Sequence, residues 1–131
     1  MSTYVFAVPV LPGKTEDLKR YIRETMGPRR EDYNRTNQSA GLDIEQFWLQ
    51  HTPEGDMLIV RWECENPTAI FEQGLHSQDP FDIWFREKII IECLGVNPDG
   101  PMPINEMLSN YQAQNAGYKT EQRTYQESLK R

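Results

Sequence analysis

The chain reads as an α+β domain in the order strand, helix, strand, strand, helix pair, strand, with a four-stranded antiparallel sheet carrying its helices on one face. Three observations predict this. Leu42–His51 and Asp56–Cys64 are strand-like runs joined by Thr52-Pro53-Glu54-Gly55, whose proline and glycine suit a tight turn. Asn66-Pro67 and Asp79-Pro80 each place a capping residue before a proline, the preferred start of a helix. A length of 131 residues with 37% hydrophobic composition supports one domain and not two.

The elements follow in order. In residues 3–11, Tyr4, Phe6, Val8 and Val10 alternate with Val5, Ala7 and Pro9, so apolar residues lie on both parities, as in a strand buried on both faces. Pro12-Gly13 breaks the strand, and Thr15 is the expected cap of a helix with Glu16 and Asp17 at its positive end. Leu18, Tyr21, Ile22 and Met26 recur at helical spacing until Gly27-Pro28 interrupts them. The polar stretch 29–39 carries the helix on for a turn or two, with Arg29-Arg30 on a solvated face.

In the hairpin, a four-residue turn sets His51 opposite Asp56, Leu49 opposite Leu58, Phe47 opposite Val60 and Glu45 opposite Trp62. The other face pairs Gln50 with Met57, Trp48 with Ile59, and Gln46 with Arg61. The first face is nearly all apolar and should carry the helices. The second is mixed but exposes Trp48, Met57 and Ile59 together, which calls for a partner.

Ile70, Phe71 and Leu75 form the buried stripe of the next helix. The one after runs from Phe81 to Leu94 and stops at Gly95. Its apolar residues fall in two sectors, Phe81, Trp84, Phe85 and Ile91 against Ile83, Ile90 and Leu94, although Ile89-Ile90-Ile91 also suits a strand. Val96–Met102, with three of seven residues Pro or Gly, is a loop, and Pro103–Tyr111 suits the last strand. Residues 1–111 thus form the domain. Residues 112–131 are a polar tail or a short docking helix. This order is the ferredoxin-like arrangement.

Fourteen Lys and Arg against 20 Asp and Glu give a net charge of −6, which argues against duplex nucleic acid and anionic membranes as partners. No apolar run approaches the roughly 20 residues that span a bilayer. The apolar start lacks a preceding positive region and a small-residue cleavage pattern, so it reads as structure and not as a signal peptide. Cys64 and Cys93 read as reduced thiols of a cytoplasmic protein. With His51 and His76 25 positions apart and no CxxC, no dedicated metal site is expected. There is no glycine-rich phosphate loop, Ser-His-Asp order or nucleophile elbow, and no cofactor is expected.

Three segments carry a family resemblance: VPVLPGKTEDLKRYI, a strand leading into a charged helix; IEQFWLQHTPEGDMLIVRWE, a hairpin with an aromatic centre; and SQDPFDIWFREKI, a helix start. Across residues 3–111 the chain resembles the dimeric α+β barrel proteins, a superfamily that includes antibiotic-biosynthesis-type monooxygenases, and is most similar to their uncharacterised members. The resemblance implies a homodimer whose sheets face each other through Trp48, Met57, Ile59 and Arg61. It also implies a ligand site between sheet and helices.

Glu45, beside Trp62 on the helix-bearing face, is a candidate acid or base because desolvation raises a carboxyl pKa. His76, at a helix break, is a candidate proton shuttle. Phe47, Trp62, Trp84 and His51 are candidate pocket residues for a small apolar or aromatic ligand. Against these stand plainer readings: Glu45 reaching solvent at a frayed strand start, His51 in an exposed turn, His76 as helix-break polarity, and the tryptophans as core. Three functions remain open: a cofactor-independent monooxygenase-like or isomerase-like enzyme, a non-catalytic small-molecule-binding dimer, and a structural assembly module.

Overall fold

A computed structural model describes residues 2–114. Three antiparallel strands, β1 (Ser2–Pro9), β2 (Leu42–Thr52) and β3 (Gly55–Cys64), stand in the order β1-β3-β2. Helices α1 (Thr15–Met26) and α2 (Arg30–Ser39) follow β1, and α3 (Pro67–His76) and α4 (Pro80–Phe85) follow β3. The protein is therefore α+β, and among the described residues no helix is long and apolar enough to cross a membrane.

The β2–β3 register matches the expected one at every pair named above, from His51 opposite Asp56 to Glu45 opposite Trp62. Thr52 and Gly55 also pair, leaving Pro53 and Glu54 as the turn's central residues. The Thr52 hydroxyl accepts from the Glu54 N–H at 3.2 Å and donates to the Gly55 carbonyl at 2.6 Å. This side-chain mimic of a backbone turn closes the hairpin. β1 joins the other edge of β3 with Tyr4 opposite Trp62 and Phe6 opposite Val60.

Even-numbered residues of β1 and β3 thus share one face. Tyr4, Leu58, Val60, Trp62 and Cys64 are buried there with Leu18 of α1, Ile70 of α3, and Ile89. On the other face Val5, Ile44 and Trp48 are 46%, 40% and 39% exposed, so β1 is buried on one face and not on two.

The helix starts follow their caps at Asn66 and Asp79, whose side chains accept from the N–H of Thr68 and Phe81. Thr15 differs from expectation. It is the first helical residue, and its hydroxyl donates to Asp56 at 2.6 Å instead of capping α1. Gly27-Pro28 separates α1 from α2 as expected. Arg29 is not simply solvated, because its guanidinium lies 4.0 Å from the centroid of the Trp84 ring.

After Phe85 the helix widens into a π-helix over Arg86–Cys93. This changes the phase of the apolar residues. Ile89 and Cys93 are 1% and 0% exposed, while Ile91, expected in a buried sector, is 42% exposed. The widened segment ends at Gly95 with φ +63°, where a Cβ would stand 3.0 Å from the Leu11 side chain.

The expected last strand is the main difference. Residues 103–111 carry no regular secondary structure. Pro101 and Pro103 remove backbone donors from its lead-in, and from Ile104 onward the side chains are exposed, so no burial supports a ladder. The segment nevertheless starts alongside β1. Asn105 accepts from the Val5 N–H at 2.8 Å and donates to the Val5 carbonyl at 2.7 Å, and the Tyr4 hydroxyl donates to the Pro103 carbonyl. A side-chain amide thus makes the two bonds that a strand partner would make. The tail or docking helix expected over 112–131 lies outside the described residues from residue 115 onward.

Truncating Leu18, 2% exposed, to Ala removes its packing beneath the sheet and should cost about 3 kcal/mol by urea unfolding, whereas Lys19→Ala on the solvated side of α1 should change stability by less than about 0.5 kcal/mol.

Candidate functional site

Between the sheet and the helices lies a cavity of about 150 Å³. The sheet supplies Phe6, Val8, Glu45, Phe47, Leu58, Val60 and Trp62. The helices supply Tyr33 and Thr36 from α2, Ile70 and Phe71 from α3, Phe81 and Asp82 from α4, and Ile89 from the π-helical segment. Gly100, Pro101, Met102 and Pro103 of the irregular segment close one wall. An apolar void of this size holds one benzene-sized ring.

Glu45 reaches this space because the register set by the turn places it opposite Trp62. The β2 register shifts between Leu42 and Ile44, leaving Asp43 extra. In an unbroken strand Leu42 and Glu45, three apart, would point to opposite faces. The bulge returns Leu42 to the helix-bearing face that Glu45 already occupies. The Glu45 carboxylate accepts from Trp62 Nε1–H at 2.7 Å and from the Tyr33 hydroxyl at 2.8 Å. Burial raises its pKa, and these two hydrogen bonds oppose the rise only in part. Trp62 is itself held among aromatic rings, with Phe71 at 4.8 Å, Phe6 at 5.1 Å and Tyr4 at 5.7 Å between centroids. Tyr33 is also raised, first by burial and then by the neighbouring carboxylate. It therefore donates toward Glu45 and does not ionise.

A second carboxyl faces the cavity. Asp82, 7% exposed in the first turn of α4, is raised by burial, with the Ser77 hydroxyl pulling the other way. The turn before it is clamped from both sides: Arg35 makes two bonds to Asp79, and Arg86 donates to the carbonyls of Gly74 and Ser77. Among the described residues no Lys, Arg or His side chain lines the cavity; Arg35 and Arg86 act on Asp82 from outside it, and burial still holds both carboxyls above their ordinary range. Such a space favours an uncharged ligand over an anion.

Of the expected site residues, the structure brings together Glu45, Phe47 and Trp62. The other three lie elsewhere. His76 is exposed at the end of α3, where the chain turns outward after Leu75. His51 is at the far hairpin end, its Nδ1 2.7 Å from Asp56. Trp84, half-buried, packs against Tyr21, Arg29 and Phe81 and does not line the cavity. Sequence reasoning missed Tyr33 and Asp82. Tyr33 and Thr36, both buried and three apart on one side of α2, were the available signal within the polar stretch.

The expected interface residues Trp48, Met57, Ile59 and Arg61 share the face that no described helix covers. Arg61 is not free there, because its guanidinium donates to Gln46 at 2.8 Å and to Glu63 at 2.7 Å. Among the described residues no three His, Cys, Asp or Glu side chains come together to hold a metal ion.

Comparison with protein-family models and with curated proteins finds no match to this chain. The site is accordingly read from its own geometry.

The raised Glu45 pKa has a stability consequence of definite sign. The native state keeps a proton that the unfolded chain releases once pH passes the ordinary Glu value near 4.3. The wild type should therefore lose stability relative to Glu45→Gln as pH rises from that value to the raised native one, and no further above it. Urea titrations of the two proteins between about pH 4 and 9 measure this difference.

Proposed function

We propose that this chain is a homodimeric, ferredoxin-like α+β barrel protein whose cavity takes a small, uncharged, partly aromatic molecule, and that Glu45 acts on it as a proton acceptor without a cofactor, in the manner of a monooxygenase. One observation carries the reading: a carboxyl oriented by Trp62 and Tyr33 faces an apolar space the size of one aromatic ring. A carboxyl raised by desolvation is closer in pKa to a phenolic or carbon acid than an ordinary glutamate is, and proton transfer to it costs correspondingly less. The resemblance to the antibiotic-biosynthesis-type monooxygenases points the same way, as does the position of Asn105 beside β1, where a fourth strand of the ferredoxin-like sheet would lie. The helix-free face with Trp48, Met57 and Ile59 supports the homodimer. Two free, buried cysteines fit a cytoplasmic setting.

The chemistry balances with dioxygen as co-substrate. A monocyclic hydroquinone gives up its hydroxyl proton to Glu45, and the electron-rich ring passes electrons to dioxygen. One oxygen atom joins a ring carbon and the other leaves as water, so hydroquinone plus dioxygen yields hydroxyquinone plus water. The protein's part is to bind the ring, hold the base and exclude bulk water.

A second reading, binding without turnover, is favoured by one feature: both Glu45 oxygens already accept hydrogen bonds from the protein. Oxygen uptake with a monocyclic hydroquinone separates the two. Enzyme activity predicts turnover that falls about 10²–10⁴-fold in Glu45→Gln, with ring binding retained. Binding alone predicts saturable ligand binding with no oxygen uptake above that of the buffer.

A further inference from the structure

Among the described residues, a run of large apolar side chains near the end of the chain stands in solvent. Ile104, Met107, Leu108 and Tyr111 are 91%, 76%, 88% and 88% exposed. They make up four of the eight residues 104–111, so this irregular segment holds a dense set of large apolar side chains in solvent among Asn105, Glu106, Ser109 and Asn110. The root of this arm is fixed. The two bonds between Asn105 and Val5 pin it to the outer edge of β1, and Val5 itself belongs to the helix-free sheet face.

That face is too small to hold two copies together alone. Three strands spaced about 4.8 Å apart and roughly ten residues long offer on the order of 500 Å², short of the about 800 Å² per partner that stable interfaces bury. Arm and receiving face lie on the same chain, so a two-fold exchange between copies covers both at once.

We propose that residues 104–111 are a docking arm for a second copy of this chain, each arm laying its exposed apolar side chains across the rim of the other copy's helix-free face, beside Trp48, Met57 and Ile59. The inference rests on the homodimer reading above and adds the element that completes its interface.

The full-length chain tests it in two ways. Sedimentation equilibrium should show a wild-type dimer and a dissociation constant raised about tenfold or more in Met107→Glu/Leu108→Glu. A photo-reactive benzoylphenylalanine in place of Leu108, in a mixture of ¹⁴N- and ¹⁵N-labelled protein, should link the arm to the β2–β3 hairpin of the differently labelled chain. An unchanged dimer in the double variant, or links confined to one chain, overturns the arm and leaves the dimer standing. A monomeric wild type overturns the dimer reading itself.

Discussion

The register of the β2–β3 hairpin governs the rest of this protein. Side chains of a strand alternate between faces, so a slip of β2 by one residue would send Phe47 and Leu49 to the outside and bring Gln46 and Gln50 beneath the helices. The turn at Pro53-Glu54 prevents this slip. The Thr52 hydroxyl stitches the turn from within, and Asp56 anchors its flank through both His51 and the Thr15 hydroxyl at the start of α1. These bonds lower the Asp56 pKa, and the same carboxylate ties the first helix to the hairpin end.

From that register the site follows in steps. Trp62 faces inward at the centre of the sheet and collects Tyr4, Phe6 and Phe71 around it, leaving its indole N–H as an isolated donor in an apolar layer. A buried donor needs an acceptor. The hairpin register sets Glu45 opposite it, and the carboxylate's second oxygen is then met by Tyr33 from α2. The polar network is complete, with no buried side-chain donor or acceptor left unpaired among the described residues. The aromatic cluster and the carboxyl are thus one unit. Its hydrogen bonds fix the orientation of the Glu45 carboxyl, and its apolar surroundings keep that pKa raised.

The wall opposite is built from less regular backbone. The break between α3 and α4, the π-helical segment and the loop through Pro103 each depart from ideal geometry where they border the cavity. Close packing of ideal helices on the sheet would leave less room, and π-helical turns occur often at functional sites. The loop at Gly100–Pro103 is also the root of the exposed segment 104–111, so one stretch of chain borders both the cavity and the proposed contact between copies.

The sequence by itself determined the hairpin pairing, the two Asn/Asp-Pro helix starts, the break at Gly27-Pro28 and the inward position of Glu45, Phe47 and Trp62. All of these are local. They depend on turn chemistry, capping and a two-residue alternation that neighbouring residues dictate. Only the tertiary structure decided what depends on distant contacts. Ile91 turns outward because the π-helix shifts the helical phase, and no local pattern announces an i→i+5 turn. His51 and His76 lie away from the cavity at an exposed turn and helix end, and Trp84 turns to Tyr21 and Arg29 instead, because each depends on what packs there. Tyr33 meets Glu45 across 12 positions of chain. Residues 103–111 alternate like a strand yet lack the burial that would make them one, since strand pairing is stabilised by neighbours on both sides, which the proline-rich lead-in and the open edge of β1 do not provide.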